Sequence, residues 1–261
     1  MLSAIIHGKA GRIDVSSKTE NISWRELYKS REDLLTAAFF SRWSYLSNNS
    51  QHILMSNWID KKSDFKDFKI INFWPRYNLP DKEELSYIEP DILIEFERSN
   101  VLIEVKPPLG GDQYFQQWKK EIAGYYSWAD SNNIEKPLYF LAIGRIGNVE
   151  QKWKDNVLDK KSRKPEQIIA IKWRPIASSI FNLLESKNIK SSDAHILTDI
   201  LKALELYGIF GHKFQWNDFH KKEKELPTID LGTFSAFKNV KSKQKILNSP
   251  LNLEVFHQWM I

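Results

Sequence analysis

Between Arg31 and Leu46 the apolar residues Leu34, Leu35, Ala38, Phe39, Trp43 and Leu46 recur at helical intervals, which predicts a helix with one buried face. Capping-box spacings stand ahead of it, Ser23 with Glu26 and Ser30 with Asp33. Ile53 to Ile59 continues in helical structure. The period then shortens. Lys69 to Tyr77 reads as a strand ending near Pro75, and 80–84 as a polar turn. From Asp91 to Glu97 acids are interleaved with Ile92, Ile94 and Phe96. Arg98-Ser99-Asn100 makes a turn, and Val101 to Lys106 returns as the second strand of a hairpin. Pro107-Pro108 stops that strand, and Gly110-Gly111 adds a bend. Asp112 is placed to cap a helix running to Asp130, whose buried stripe is Phe115, Trp118, Ile122, Tyr125, Tyr126 and Ala129. Leu138 to Ile143 and Gln167 to Trp173 suit buried strands. Ile176 to Ser186 and Asp193 to Tyr207 suit helices, the second stopped by Gly208. This order predicts an α/β fold with a mixed central sheet flanked by helices.

No linker or repeat divides the 261 residues. The expected organisation is an N-terminal arm over 1–22, a main domain over 23–210, and a C-terminal extension over 211–261. Phe214, Trp216 and Phe219 are expected to pack that extension on the core. With no cysteine, disulfides, thiolate zinc sites and cysteine nucleophiles are excluded, and a reducing cytoplasm is compatible. The apolar stretch Leu2 to Ile6 is too short for a signal segment, and Leu138 to Ile143 is too short to span a bilayer. These features predict a soluble cytoplasmic protein without membrane association.

Charge adds a partner to this picture. The net charge is +5, yet 151–190 alone carries ten Lys or Arg against four acids. Lys152, Lys154, Lys160, Lys161, Arg163 and Lys164 form its densest part. Such a stretch fits a phosphate backbone, and equally a solvated loop with basic helix ends.

The candidate chemistry lies in Glu89-Pro90-Asp91 and Glu104-Val105-Lys106. Alternation along a strand puts Glu104 and Lys106 on one face. The turn brings Asp91 opposite the far end of the return strand, near Lys106. Two carboxylates and an ammonium then converge at one sheet edge. Asp91, Glu104 and the Val105 carbonyl are suitable ligands for Mg²⁺, and Lys106 could orient or deprotonate a water and stabilise developing charge. The plain alternative is a surface hairpin with a cross-strand ion pair.

Pro90-Asp91 and Glu104-Val105-Lys106, set in hydrophobic strands, resemble the PD-(D/E)XK nuclease superfamily. The resemblance extends over Arg31 to Trp173. It implies a restriction-endonuclease-like core, here with a helical C-terminal extension. It also implies that Glu32, in Arg31-Glu32-Asp33-Leu34-Leu35-Thr36, supports the metal from the first helix, with Asp33 as the rival. Gln117, in the row Gln113, Gln117, Glu121, would assist from the helix after the hairpin. The implied activity is Mg²⁺-dependent cleavage of DNA, with Mn²⁺ able to substitute and RNA left open as substrate. Members of this type serve in restriction, defence or mobile-element modules, work in pairs to cut both strands, and act beside a partner protein that supplies target choice. A homodimer and such a partner are therefore expected. A subunit that keeps the fold and binds nucleic acid without cutting is the alternative. The six histidines show no metal-ligand pairing, and no phosphate-loop or nucleophile-elbow motif is present.

Overall fold

The computed structural model describes residues 4–5, 7, 9–10, 12–13, 22–59, 65–79, 87–108, 111–146, 163–186 and 189–211. All of these belong to a compact unit over Met1–Lys213. Phe214–Ile261, and with it the expected packing of the C-terminal extension, lies outside the described residues.

The strands are β1 (Arg12–Ile13), β2 (Ile22–Ser23), β3 (Phe68–Phe73), β4 (Tyr77–Asn78), β5 (Tyr87–Ile88), β6 (Ile92–Phe96), β7 (Asn100–Val105), β8 (Leu138–Ile143) and β9 (Gln167–Ile171). The helices are α1 (Trp24–Ser30), α2 (Glu32–Trp43), α3 (Asn48–Ile59), α4 (Phe115–Ser131), α5 (Trp173–Leu184) and α6 (Ser191–Glu205). The central sheet has the order β3-β6-β7-β8-β9. β3, β6 and β7 pair antiparallel, and β8 and β9 join parallel to β7. It is the mixed sheet flanked by helices that the pattern of the chain predicts. β1 with β2, and β4 with β5, make two small antiparallel pairs beside it.

Alternation along the strands divides the interior into two cores. Ile92, Ile94 and Phe96 of β6, with Val101, Ile103 and Val105 of β7, face α2, α3, α5 and α6. Phe39, Phe40 and Trp43 of α2 are fully buried there, each burial contributing roughly 1.5–3 kcal/mol. Ile5 joins this core from the expected N-terminal arm. Leu93, Leu102 and Phe140 point to the opposite face, where α4 covers them with Trp118, Ile122, Tyr125 and Ala129. Glu104 has the parity of Leu102 and therefore turns toward α4.

Four local expectations are corrected. α2 starts at Glu32 on an Arg31 N-cap with no side-chain bond, so Ser30 does not cap it; the Ser23–Glu26 capping box does form, on α1. Asp112 does not cap α4, whose N-cap is Tyr114. Its carboxylate pairs with Arg145 at 2.7 Å instead, a charge partner that outcompetes backbone amides. Phe115 lies at the first turn of α4 and is 38% exposed, so the buried stripe begins at Trp118. The predicted strand to Trp173 also ends earlier, because Trp173 opens α5.

Candidate metal centre

The β6–β7 register fixes the first two acids. Ile92 lies opposite Ile103, so the ladder carries Asp91 toward Glu104. Asp91 Oδ2 accepts from the Val105 N–H at 2.7 Å. Asp91 therefore sits deeper along the return strand than the expected position near Lys106. Its carbonyl accepts from Trp74 N–H at 2.8 Å, where Trp74 ends β3 in a left-handed conformation with φ 50°.

Lys106 follows β7. Its N–H donates to the Ile143 carbonyl, and its own carbonyl accepts from Trp173 Nε1, both at 2.8 Å. Gly144 holds φ +119°, and a Cβ there would stand 1.9 Å from the Lys106 carbonyl oxygen. Only glycine lets the β8 end pass so closely. Anchored in this way, the Lys106 ammonium reaches Glu104 Oε1 at 2.7 Å and Glu32 Oε1 at 2.8 Å. Glu32 comes from the first turn of α2, beneath which Leu35, Phe39 and Phe40 are fully buried.

Glu32, Asp91 and Glu104 each offer an oxygen within 4.8 Å of the others. Asp91 and Glu104 are buried, and Glu32 keeps a route to solvent. Burial first, and then the Glu104 charge, pushes Asp91 up to about 8. Burial first, and then Glu121, pushes Glu104 up to about 8. Burial alone would lower Lys106, but Glu104 and Glu32 outweigh it and hold its pKa above the ordinary lysine value. One ammonium thus stands against three carboxylates. Hard oxygen donors with surplus negative charge are the donor set that Mg²⁺ or Mn²⁺ favours, so these residues fit such an ion.

Two glutamines of the α4 region do different work. Gln113 Nε2 donates to the backbone carbonyls of Glu104 and Ile143, at 3.2 and 2.9 Å, and its Oε1 accepts from Trp118 Nε1 at 2.7 Å. It knits β7 to β8 where their ends leave the sheet. Gln117 Nε2 donates to Glu104 Oε1 at 2.7 Å and to Glu121 Oε1 at 2.8 Å. The polar row of α4 is therefore not a solvated face. Gln113 is 6% exposed and Glu121 is fully buried.

The chain resembles an uncharacterized protein. That protein comes from Pasteurella multocida (strain Pm70) and is 29% identical over 229 residues, which cover 83% of this chain and 83% of the relative. No family model matches the chain.

Of the residues singled out from sequence, Asp91, Glu104, Lys106, Glu32 and Gln117 come together, with the Val105 backbone among them. Asp33 is exposed, and among the described contacts Glu32 alone of the two reaches Lys106. Two of the six basic positions are among the described residues. Arg163 pairs with Asp130 at 2.6 Å and lies 4.7 Å over the Tyr126 ring, and Lys164 is exposed. Lys152, Lys154, Lys160 and Lys161 lie outside the described residues. Glu121, Gly144 and Trp173 are the contributors that sequence reasoning did not single out. The i, i+4 spacing of Glu121 from Gln117 was a usable signal; the other two depend on strands that meet only in the fold. Among the described residues no helix is long and apolar enough to cross a membrane.

Proposed function

We propose that this chain is a Mg²⁺-dependent nuclease of the PD-(D/E)XK type, hydrolysing phosphodiester bonds in DNA, with Mn²⁺ able to substitute. The observation that carries this reading is the gathering of the Glu32, Asp91 and Glu104 carboxylates within 4.8 Å around a lysine ammonium. Asp91, Glu104 and the Val105 carbonyl would hold the ion, with Glu32 supporting it from α2. A divalent ion there supplies neutralisation of charge on the phosphate and a lowered pKa for water. Lys106, held charged, donates a hydrogen bond to the attacking water and stabilises negative charge gathering on the phosphate oxygens. A group held in that state does not itself accept the proton. Gln117 keeps Glu104 Oε1 engaged, which would leave the other Glu104 oxygen to an ion.

The donor set recognises a phosphodiester rather than a base, so this chain cuts with little sequence choice. In this reading a partner protein supplies the target, within a restriction, defence or mobile-element system, and two copies cut the two strands. The absence of cysteine suits work in the reducing cytoplasm.

The test is Mg²⁺- and Mn²⁺-dependent cleavage of supercoiled and linear plasmid, wild type beside Lys106→Ala. Cutting by wild type alone, abolished by chelator, is the expected result. DNA binding with no cutting, across both metals, would favour a non-cleaving subunit; cutting of RNA alone would move the substrate.

A further inference from the structure

We infer that Glu121 is a positioning residue for the metal centre, acting through Gln117; this rests on the reading of Glu32, Asp91 and Glu104 as a cation site. Glu121 is fully buried on α4, a helix face otherwise given to Trp118, Ile122 and Tyr125. A buried carboxylate costs stability unless it is well paired. Here the described partners are the neutral amide of Gln117, at 2.8 Å on Oε1, and a second acid, the Glu104 carboxyl, and no cation pairs with it among the described residues. Stability alone gives no reason for an acid at this position.

The amide explains its presence. A glutamine side chain has a donor end and an acceptor end, and either could face Glu104. An acceptor end against a carboxylate would be repulsive and would drive Glu104 out of place. With Glu104 on one side and Glu121 on the other, both within hydrogen-bond distance of Nε2, the amide is held between them. Glu104 Oε1 then receives Gln117 Nε2 and Lys106 Nζ, both at 2.7 Å. Its orientation is set before any ion arrives. Outer residues that orient ligands in this way carry about 10- to 100-fold in metal affinity.

Glu121 also lies close enough to Glu104 to raise its pKa, so a direct electrostatic effect is the rival explanation. Mn²⁺ titration calorimetry on the full chain separates the two, using Glu121→Leu, Glu121→Gln, Gln117→Leu and the Gln117→Leu/Glu121→Leu double variant, each beside a thermal melt without metal. Glu121→Leu is expected to weaken Mn²⁺ binding about 10- to 100-fold, while its metal-free melting temperature holds or rises because a buried acid has gone. Glu121→Gln, which still offers an acceptor to Nε2, stays within about threefold of wild type. The double variant loses no more than either single leucine variant, since both break one chain of contacts.

Additive losses in the double variant would overturn action through Gln117. Unchanged Mn²⁺ affinity in a folded Glu121→Leu would overturn the role altogether, as would affinity and melting temperature falling together in both Glu121 variants. Those results leave the cation site standing, whereas failure of wild type to bind Mn²⁺ removes the site and this inference together.

Discussion

The two ends of the β6–β7 hairpin carry similar residue types and treat them differently. At the turn end, the side-chain donors each have one partner, although Asn100 Oδ1 is buried without one. Asn72 Nδ2 donates to Glu95 at 3.0 Å, Asn100 Nδ2 to the Tyr125 hydroxyl at 2.8 Å, and Lys136 Nζ to the Phe96 carbonyl at 2.9 Å. At the open end, Glu32, Asp91, Glu104 and Glu121 crowd one lysine and one amide. The first arrangement is what stability requires of a half-buried polar edge. The second gathers acids in a buried place, where ionising them costs folding energy. In the proposed reading, a cation received there offsets that cost.

The largest test of this contrast exchanges one acid at each end. Asp91→Ala is expected to lower metal-dependent cleavage by at least about a thousandfold, as removal of a metal ligand or key electrostatic group does, while Glu95→Gln leaves it within about twofold. Plasmid-nicking rates at fixed Mn²⁺ read both. Equal losses at the two ends would erase the distinction.

A pH series sharpens it. Asp91 and Glu104, pushed up to about 8 from 3.8 and 4.5, favour the folded state while protonated. That contribution is complete below the unfolded values and is lost as pH rises from about 4 to about 8. The metal-free melting temperature therefore falls across that window. The rise produced by Mn²⁺ grows over its upper half, because binding needs the carboxylates ionised. A Mn²⁺ shift that is independent of pH would contradict the burial of these acids.

The smallest effect belongs to the turn end. Asn100→Ala removes one buried hydrogen bond and is expected to cost about 1–2 kcal/mol of stability, with Mn²⁺ affinity unchanged. Denaturant unfolding with and without metal measures both quantities.

Much of this contrast was legible in the chain. Val, Ile and Leu in alternation and the stop at Pro107 mark the hairpin and carry Asp91 to the far end of the return strand. A turn at Arg98-Ser99-Asn100 places it near Lys106, however, whereas Asn100 pairs with Glu95 and Asp91 falls toward Glu104. The α4 stripe and β8 were equally plain, because their periods are strong. The misreadings share a cause. Asp112 and Ser30 have the right side chains at capping distance, but a salt bridge takes Asp112, and Arg31 stands where α2 begins. The row Gln113, Gln117, Glu121 does not reveal its enclosure in the sequence, because polarity does not say whether a polar group is hydrated or buried. The two-residue strands β4 and β5 are too short to show a period. Gly144 and Trp173 meet Lys106 across long stretches of chain, and no local pattern encodes that meeting.

One contact far from the metal centre bears on when the centre exists. Asp193, at the start of α6, accepts from the Ser47 N–H and from the Ser47 and Ser50 hydroxyls, tying the corner between α2 and α3 to α6. Glu32 rides on α2, so its placement depends on a helix that follows it by some 160 residues in sequence. During synthesis the hairpin can pair as soon as it emerges, but α2 gains its clasp only after α6 has been made. A nascent or prematurely terminated chain would hold Asp91 and Glu104 in register while lacking a fixed Glu32. The acid triad is thus completed late, after most of the domain has left the ribosome.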